Sequence, residues 1–143
     1  MTAAVCVVLL EWPAAEAAVM PLREAVFVVE QGVPLELERD AFDPVCVHAL
    51  VRSEQGEVIA TGRLLPDGHI GRMAVAQAWR GRGVGGAVLE ALVAAARERG
   101  FAEVVLNAQI TAMPFYERHG FAGFGERFMD AGIPHRAMRR SLG

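Results

Sequence analysis

A cluster of glycines and arginines near the middle of the chain is the clearest chemical feature of the sequence. The run reads Arg80-Gly81-Arg82-Gly83-Val84-Gly85-Gly86. Glycine allows the backbone to adopt positive φ and to approach a ligand closely. The run leads into a helical pattern, so unpaired N–H groups and the positive end of the helix dipole would face an anion there. These residues therefore predict a phosphate-binding turn, with the two arginines adding positive charge.

Two known kinds of nucleotide-binding loop, the dinucleotide-binding loop and the Walker loop, have a similar pattern of glycines. Gly81, Gly83 and Gly86 fit the G-x-G-x-x-G spacing of a dinucleotide-binding fold, which is a weak signal by itself. Two observations argue against a dinucleotide-binding fold. Residues 76–80 separate the glycines from the preceding strand. The next strand has its acidic residue, Glu103, near its beginning, whereas that fold needs one at its end. A Walker loop is excluded because no Gly-Lys-Ser/Thr follows. A dinucleotide-binding module stays as the less favoured alternative.

The first third of the chain predicts a strand and a long helix. Residues 1–10 favour a strand rather than a signal peptide, because a basic start is missing. Apolar residues spaced by three and four predict a helix over 14–31 that ends at Gly32. An acidic connector, 33–44, follows. We expect it to be a solvated loop, and the alternative is a negatively charged lip that attracts a cationic substrate.

The remainder predicts a mixed α/β fold around the glycine turn. Short polar turns join three strand-like runs and indicate an antiparallel meander. A helix over 84–99 connects the last of these to a further strand over 102–108, which makes a βαβ unit with parallel strands. A short helix over 112–119 follows. The strand-like runs cover 45–51, 58–65 and 69–75, and two weaker strands cover 123–128 and 136–140.

The order of the motifs narrows the choice of family. Arg80-x-x-Gly83-x-Gly85, after a strand that ends in Ala74-Val75, resembles the acetyl-coenzyme A motif of the GCN5-related N-acetyltransferases (the GNAT superfamily). The run Leu106-Asn107-Ala108-Gln109, followed by Ala112 and Phe115–Phe121, resembles the second conserved block of that superfamily. Val26–Gln31 and Gly132–His135 resemble its small bacterial ElaA-like subgroup. The resemblance implies a central, mostly antiparallel sheet with one parallel, splayed βαβ pair and flanking helices.

The same resemblance implies an acetyl-CoA site, with acetyl-CoA as co-substrate and no metal. The diphosphate would lie on the amides of 81–86, and the backbone of 73–75 would hold the pantetheine arm as an added strand would. The alternative for Arg82 is a solvated position on the surface without ligand contact. The alternative for Asn107 is a hydrogen bond to nearby backbone within its strand. The implied cofactor-binding residues are Met73, Ala74, Val75, Arg80, Gly81, Arg82, Gly83, Val84, Gly85, Gly86, Asn107 and Tyr116.

Catalytic roles also follow from the resemblance. Tyr116 lies at the family position of the general acid, and a phenol is protonated at neutral pH and matched to a thiolate. Its alternative is a hydrogen bond to the coenzyme A sulfur without proton transfer. The amide of Val75 would stabilise the oxyanion. His69 is the favoured base, because an imidazole can exchange a proton near neutral pH. The competing bases are His135, Glu30, His48 and water, and the expected acceptor pocket contains Glu30, Gln31 and His135.

Composition bounds the remaining possibilities. The chain has 143 residues, which fits one domain over 1–143. A net charge of −3 gives no electrostatic case for nucleic acid. Apolar runs are shorter than the roughly 20 residues that span a membrane, so a cytoplasmic location is expected. Cys6 and Cys46 are expected to be reduced and buried, with a disulfide between them left open.

These observations predict an enzyme that transfers an acetyl group from acetyl-CoA directly to a primary amine. A small molecule is the expected acceptor, and a protein amine stays open. A non-catalytic acyl-CoA-binding sensor is the alternative from another class. Many members of the superfamily dimerise, so a homodimer is also left open.

Overall fold

The computed structural model describes residues 6–38 and 40–142, without the side chain of Leu37. Seven strands form one sheet in the order β1-β2-β3-β4-β5-β7-β6. The strands are β1 (Val8–Glu11), β2 (Val47–Arg52), β3 (Val58–Leu64), β4 (His69–Val75), β5 (Glu103–Gln109), β6 (Ala122–Asp130) and β7 (Ile133–Ser141). The helices are α1 (Trp12–Arg23), α2 (Leu35–Glu38), α3 (Val84–Glu98) and α4 (Met113–Arg118). Residues 1–5 of the predicted first strand lie outside the described residues.

The predicted mixed α/β fold is confirmed. Strands β1 to β4 pair with their sequence neighbours in antiparallel fashion, as the short turns require. Strands β4 and β5 are parallel, joined by α3 as a crossover helix. The two tail strands are longer than the sequence predicts, because they form a hairpin around Ala131 and Gly132. Strand β7 then adds to the free edge of β5 over that strand's whole length.

Helices cover both faces of the sheet. Apolar residues of α3 at helical spacing, among them Val88, Leu92 and Ala96, pack in the same buried cluster as Ala49 and Val51 of β2. The intervening residue of β2 packs with α1 instead. Neighbouring residues of a strand point to opposite faces, so α1 and α3 lie on opposite sides of the sheet. This arrangement fixes β4, which belongs to the functional region, between two packed layers.

A bulge bends β4 in its middle. Thr61 pairs with Ala74, and Arg63 pairs with Gly71, so Gly62 alone faces the two residues Arg72 and Met73. Arg72 has a φ of +50°, in the left-handed region that side-chain-bearing residues rarely adopt. A Cβ at Gly62 would lie 2.5 Å from Sδ of Met73, so only glycine fits opposite the bulge. An extra residue of this kind redirects a strand.

The parallel pair separates beyond this bulge. Only His69 with Val105 and Ile70 with Leu106 are paired between β4 and β5 in the described chain. Strand β5 meanwhile keeps its pairing with β7 as far as Gln109. The second halves of β4 and β5 therefore leave a gap in the middle of the sheet. The predicted splay of the βαβ pair is confirmed.

The N-terminal helix changes its geometry before it ends. Helix α1 continues as a π-helical segment, Glu24–Glu30, and Gly32 follows with a φ of +73°. The predicted end at Gly32 matches the structure, and the π-helical turn is new. π-helical turns occur frequently at functional sites, because they displace the residues that follow around the helix axis. Here the displaced residues are Glu30 and Gln31.

The acidic connector is not the solvated loop that the sequence predicts. Glu38 is 1% exposed and Asp43 is fully buried. The Nε of Arg23 donates to the carboxylate of Glu38, and its Nη1 donates to Oδ1 of Asp43 at 2.9 Å. Arg63 Nη1 donates to Oδ1 of Asp40 and of Asp43, at 2.7 and 2.6 Å. We call Arg23, Glu38, Asp40, Asp43, Arg63 and Arg72 the ion cluster.

The ion cluster also holds the bulge. Arg72 Nε donates to the carbonyl oxygen of Glu38 at 3.0 Å, and its Nη2 donates to Oδ2 of Asp40 at 3.2 Å. The hydrogen bond from Arg63 lowers the pKa of Asp40 to about 2. Burial acts to raise the pKa of Asp43, but hydrogen bonds and charge from Arg23 and Arg63 lower it overall. Both carboxyl groups are therefore ionised at neutral pH.

The two cysteines differ from the expectation. Both are free thiols, but Cys6 is exposed, so the prediction of two buried cysteines is wrong for that residue. Cys46 is buried, and burial raises the pKa of its thiol to about 11. A protonated thiol is a poor nucleophile, so Cys46 is a packing residue. None of the helices in residues 6–38 and 40–142 is long and apolar enough to cross a membrane.

We expect Asp43→Asn to lower the free energy of unfolding by about 3–5 kcal/mol, because it leaves two buried guanidinium groups short of a carboxylate. Urea unfolding measures the loss. Glu57→Gln, at an exposed turn, is the control and should change it by less than about 0.5 kcal/mol. A loss for Asp43→Asn as small as that of the control would show that the ion cluster is not coupled to folding.

The lowered pKa values of Asp40 and Asp43 predict how stability depends on pH. In the unfolded chain these carboxyl groups titrate near the ordinary value of 3.8. Their contribution is therefore complete above that pH and is lost as the pH falls toward 2. Unfolding free energies measured between pH 6 and 2.5 should decline steeply below pH 4. Asp40→Asn should flatten that decline, and an unchanged slope would contradict the assignment.

Candidate active site

The glycine turn forms one wall of a cleft beside the gap in the sheet. Gly81 and Gly83 have φ of +77° and +78°, and a Cβ added to either would meet no atom within 4 Å. The turn therefore presents bare backbone toward open space. Gly83 is the N-cap of α3, and no side chain among the described residues caps the first amides of that helix. These amides and the helix dipole fit a diphosphate.

The next two glycines are needed for close packing instead. A Cβ at Gly85 would lie 3.1 Å from Cγ2 of Val75, at the end of β4. A Cβ at Gly86 would lie 2.9 Å from Nε2 of His119, on the loop after α4. The helix can therefore approach both elements only because side chains are missing at these positions. The first two glycines of the turn serve the ligand side, and the last two set the width of the cleft.

We call this space the cofactor cleft. It has a volume of about 880 Å³ and runs from the glycine turn to the gap between β4 and β5. All but two of the residues predicted to bind the cofactor line it, the exceptions being Arg82 and Asn107. The predicted residues that line it are Met73, Ala74, Val75, Arg80, Gly81, Gly83, Val84, Gly85, Gly86 and Tyr116.

The arginines of the turn are both engaged with the protein. Arg80 donates from Nε to the carbonyl oxygen of Val75 and from Nη2 to Oε1 of Glu30, each at 3.0 Å. The guanidinium of Arg82 lies 5.0 Å from the ring centroid of Trp79, in a cation–π contact. Glu30, which is predicted for the acceptor pocket, therefore pairs with Arg80 of the glycine turn. Among the described residues, it does not line the second cleft, on the other side of the gap. Arg80 connects the π-helical segment to the end of β4.

A second cleft, of about 520 Å³, opens on the other side of the gap. We call it the acceptor cleft. Asn107 and His69 line it, together with Gln109 and His135 from the paired ends of β5 and β7. Another part of its wall comes from the connector and from the tip of the β6–β7 hairpin, including Phe42 and Ile133. Asn107, which the resemblance implies as a cofactor-binding residue, lines this cleft rather than the cofactor cleft.

The two clefts meet at a small set of shared residues. Of the described residues, those lining both are Gln31, Met73, Ala112 and Tyr116. Gln31 accepts a hydrogen bond at Oε1 from Nε2 of Gln109, at 2.8 Å. This contact joins the π-helical segment to the end of β5 across the gap. It bounds the passage through which the two clefts communicate.

Tyr116 is buried where the two clefts join. Its side chain is 9% exposed, and its ring meets Phe115 and Phe121 edge-to-face with centroid distances of 5.0 and 6.0 Å. Burial raises the pKa of its hydroxyl to about 12. The phenol is therefore neutral over the whole physiological range, at the point where the clefts join.

The four histidines fall into separate settings. His48 is 1% exposed, stacks near Trp12 and has Nε2 at 2.9 Å from the carbonyl oxygen of Asp43, so it belongs to the packing beneath the ion cluster. His69 and His135 line the acceptor cleft. His119 lines the cofactor cleft, where its Nδ1 lies 2.7 Å from Oε2 of Glu90.

Several lining residues are missed by the sequence-based reading. Trp79 is on the turn before the glycines, Glu90 follows Gly83 and Gly86 along one face of α3, and Phe115 precedes Tyr116. The helical spacing of Glu90 from the glycines could have indicated it. Gln109 could have been found from strand alternation, since it shares a face of β5 with Asn107. The contributions of Asp40, Arg63 and Arg72 to the acceptor cleft carry no local signal, because they depend on the ion cluster.

A bent strand, a splayed parallel pair and a bare glycine turn at a helix start together define a protein that binds a phosphate-bearing carrier across a split sheet. Residues 17–142 match the profile of the acetyltransferase (GNAT) domain, and the chain belongs to this family. The predicted family is therefore confirmed. Members of the family transfer acetyl groups from acyl-CoA.

Individual relatives agree with this assignment. An uncharacterized N-acetyltransferase of Bacillus subtilis, YjcF, is 40% identical over 122 residues, which cover 83% of this chain and 87% of that protein. An acyl-CoA N-acyltransferase of Pseudomonas aeruginosa superposes with a TM-score of 0.85 at 31% identity, covering 96% of this chain and all of that one. ElaA of Escherichia coli superposes with a TM-score of 0.83 at 30% identity, with the same coverage.

The glycine turn yields a test with a matched control. Gly83→Ala places a methyl group on the ligand side of the turn, so we expect the Kd for coenzyme A to rise at least 10-fold in calorimetry. Gly56→Ala carries the same strain, because Gly56 has a φ of +85° and open space around it, but it lies in the β2–β3 turn. Both variants should lose about 1–2 kcal/mol of stability. Equal Kd values for the two variants would remove Gly83 from the binding site.

Proposed function

We propose that the protein transfers an acetyl group from acetyl-CoA directly to the primary amine of a small molecule. The observation that carries the proposal is the position of Tyr116, buried and neutral, where the cofactor cleft meets a separate acceptor cleft. A direct transfer needs both substrates at one point, with an acid beside the leaving thiolate. Membership of the GNAT family supports acetyl transfer as the reaction.

The residues of the cofactor cleft suit this co-substrate in three parts. The amides at the start of α3 and the bare backbone of Gly81 and Gly83 would bind the diphosphate. The half of β4 that is not paired with β5, from Met73 to Val75, would bind the pantetheine arm through its backbone. The amide of Val75 would stabilise the oxyanion that forms on the thioester carbonyl. Arg80 would contribute charge at the turn.

A small acceptor is favoured by the shape of the acceptor cleft. Its volume of about 520 Å³ is that of a site for a small molecule. Part of the wall is formed by Phe42 of the connector, and part by Ile133 of the hairpin. Apolar residues such as Phe42 and Ile133 share the lining with amide and charged side chains, and such a mixture suits a polar metabolite.

The direct test is a panel of primary amines with acetyl-CoA, read by release of free thiol. We expect at least one small amine to be acetylated, with coenzyme A binding confirmed by calorimetry. A protein that binds coenzyme A tightly, but releases no thiol with small amines, peptide N-termini or lysine peptides, would be an acyl-CoA-binding sensor instead. Acetylation of the peptides alone would overturn the small-molecule acceptor.

The Tyr116→Phe variant tests whether Tyr116 is the general acid. The change removes one hydroxyl and keeps the ring that packs against Phe115 and Phe121, so the fold should be retained. We expect kcat to fall by about 10²–10³-fold, since the thiolate would leave without a proton. The Kd for coenzyme A should stay within about threefold of the wild type. An unchanged kcat would exclude Tyr116 as the proton donor.

The raised pKa of Tyr116 predicts the alkaline side of the pH profile. Burial keeps the phenol protonated until about pH 12. The kcat of the wild type should therefore not decline between pH 8 and pH 10 through loss of the acid. A decline with a midpoint near 10 in the wild type that is absent in Tyr116→Phe would show that the tyrosine ionises as an exposed phenol does.

A further inference from the structure

We propose that His135 is the general base of the transfer and acts through Nε2, an inference that rests on the acetyltransferase function proposed above. His69, His135, Glu30 and water all compete for this role at the level of sequence. The structure separates them by the hydrogen bond of one imidazole and by its position relative to the gap.

The hydrogen bond of His135 fixes its tautomer. Its Nδ1 lies 2.7 Å from the backbone carbonyl oxygen of Ile133. A carbonyl oxygen only accepts hydrogen bonds, so we assign the ring proton to Nδ1. In a neutral imidazole the other nitrogen, Nε2, then carries a free lone pair. The ring is also stacked on Phe128, with a centroid distance of 5.8 Å and an interplanar angle of 23°, so its orientation is held before a substrate arrives.

The position of His135 matches the open end of the gap. It lies directly opposite Gln109 in the β5–β7 pairing, three residues beyond Leu106, where the parallel pairing ends. Its ring lines the acceptor cleft, as Tyr116 does. A base on the acceptor side and an acid at the junction are the arrangement that a direct transfer requires, because the amine and the thiolate lie on opposite sides of the carbonyl carbon.

The competing groups are less suited. His69 lies at the closed end, where it pairs with Val105 at the start of β4. Its ring is 46% exposed, and Nδ1 lies 3.1 Å from the Asp67 carboxylate, which already accepts the backbone N–H of His69. Glu30 is engaged by Arg80 and is absent from the described lining of the acceptor cleft.

Charged and titratable groups from several elements share the acceptor cleft with His135. The β6–β7 tip contributes one carboxylate, the β3–β4 turn contributes another beside an imidazole, and the ion cluster contributes a carboxylate with two guanidinium groups. These groups are Asp130, Asp67, His69, Asp40, Arg63 and Arg72.

The proton balance is complete with these two side chains. His135 Nε2 takes one proton from the alkylammonium ion, and the neutral nitrogen attacks the carbonyl carbon of the thioester. The C–S bond breaks as the N–C bond is retained, and the thiolate takes the proton of Tyr116. The second proton lost by the nitrogen restores the phenol. His135 then releases its proton to water, so each turnover yields one amide, one thiol and one proton.

The substitution His135→Asn distinguishes a role of His135 as general base from a role in packing. In His135→Asn the side-chain amide nitrogen replaces Nδ1 and can still donate to Ile133, but the Nε2 lone pair is gone. We expect kcat/KM to fall by about 10²–10⁴-fold with an unchanged Kd for coenzyme A. Glu126→Gln, at an exposed position of the same hairpin, is the control and should keep wild-type activity. Full activity in His135→Asn, or an equal loss confined to His69→Asn, would overturn the assignment.

Two further measurements do not depend on the rate alone. Long-range ¹H–¹⁵N spectra of the free protein should show neutral His135 protonated at Nδ1, and protonation at Nε2 would contradict the proposal. A β,β,β-trifluorinated analogue of the accepted amine is largely neutral at the assay pH and needs no first deprotonation. The deficit of His135→Asn should therefore shrink at least 10-fold with that analogue, and an equal deficit would show a different role.

The failure of this inference is distinct from failure of the proposed function. If the wild type acetylates amines and His135→Asn is equally active, the base is wrong and the transferase stands. If the wild type acetylates none of the amines tested, the proposed function falls, and this inference falls with it.

Discussion

The left-handed backbone of Arg72 is the constraint on which the site depends. A non-glycine residue in this conformation costs roughly 1–3 kcal/mol, so its surroundings must hold it there. Its guanidinium is held at 3.0 Å by the carbonyl oxygen of Glu38 and at 3.2 Å by the carboxylate of Asp40. Gly62 supplies the room opposite. The bend that results takes β4 away from β5, and both clefts exist because of it.

The acidic connector is therefore a structural part of the site. Three carboxylates, from Glu38, Asp40 and Asp43, meet three guanidinium groups in the ion cluster, so their formal charges cancel. Removing ions from water offsets most of what such pairs gain, and net stability is a weak reason for their presence. Their geometry is more informative. Arg23 ties the connector to α1, Arg63 ties it to β3, and the connector can then support the bulge and stand as a wall of the acceptor cleft.

Local patterns in the sequence predict most of the fold and the cofactor half of the site. Strand alternation, the helix after Gly83 and the positive φ of the turn are local properties, and the structure agrees with them. The failures have a common cause. The partners of Asp43 lie 20 residues away along the chain, and the partner of Glu30 lies 50 residues away. A local sequence pattern does not contain such distant partners, so it predicts that these charged residues are solvated. The π-helical turn and the β5–β7 pairing also depend on tertiary contacts, which local patterns do not contain.

The bend in β4 thus separates a cleft that presents mainly backbone groups from a cleft that presents mainly side chains. On the proposed function, coenzyme A would bind to backbone amides, whose positions depend on the glycines of the turn and on the path of β4. The acceptor cleft takes part of its wall from the connector and the β6–β7 hairpin, and no described residue of either segment lines the cofactor cleft. Residues of these two segments that lie outside the ion cluster, such as Phe42 and Ile133, can change in sequence while the ion cluster holds the bend. On the proposed function, we therefore expect acceptor choice to depend on Phe42, Ile133 and their neighbours rather than on the glycine turn.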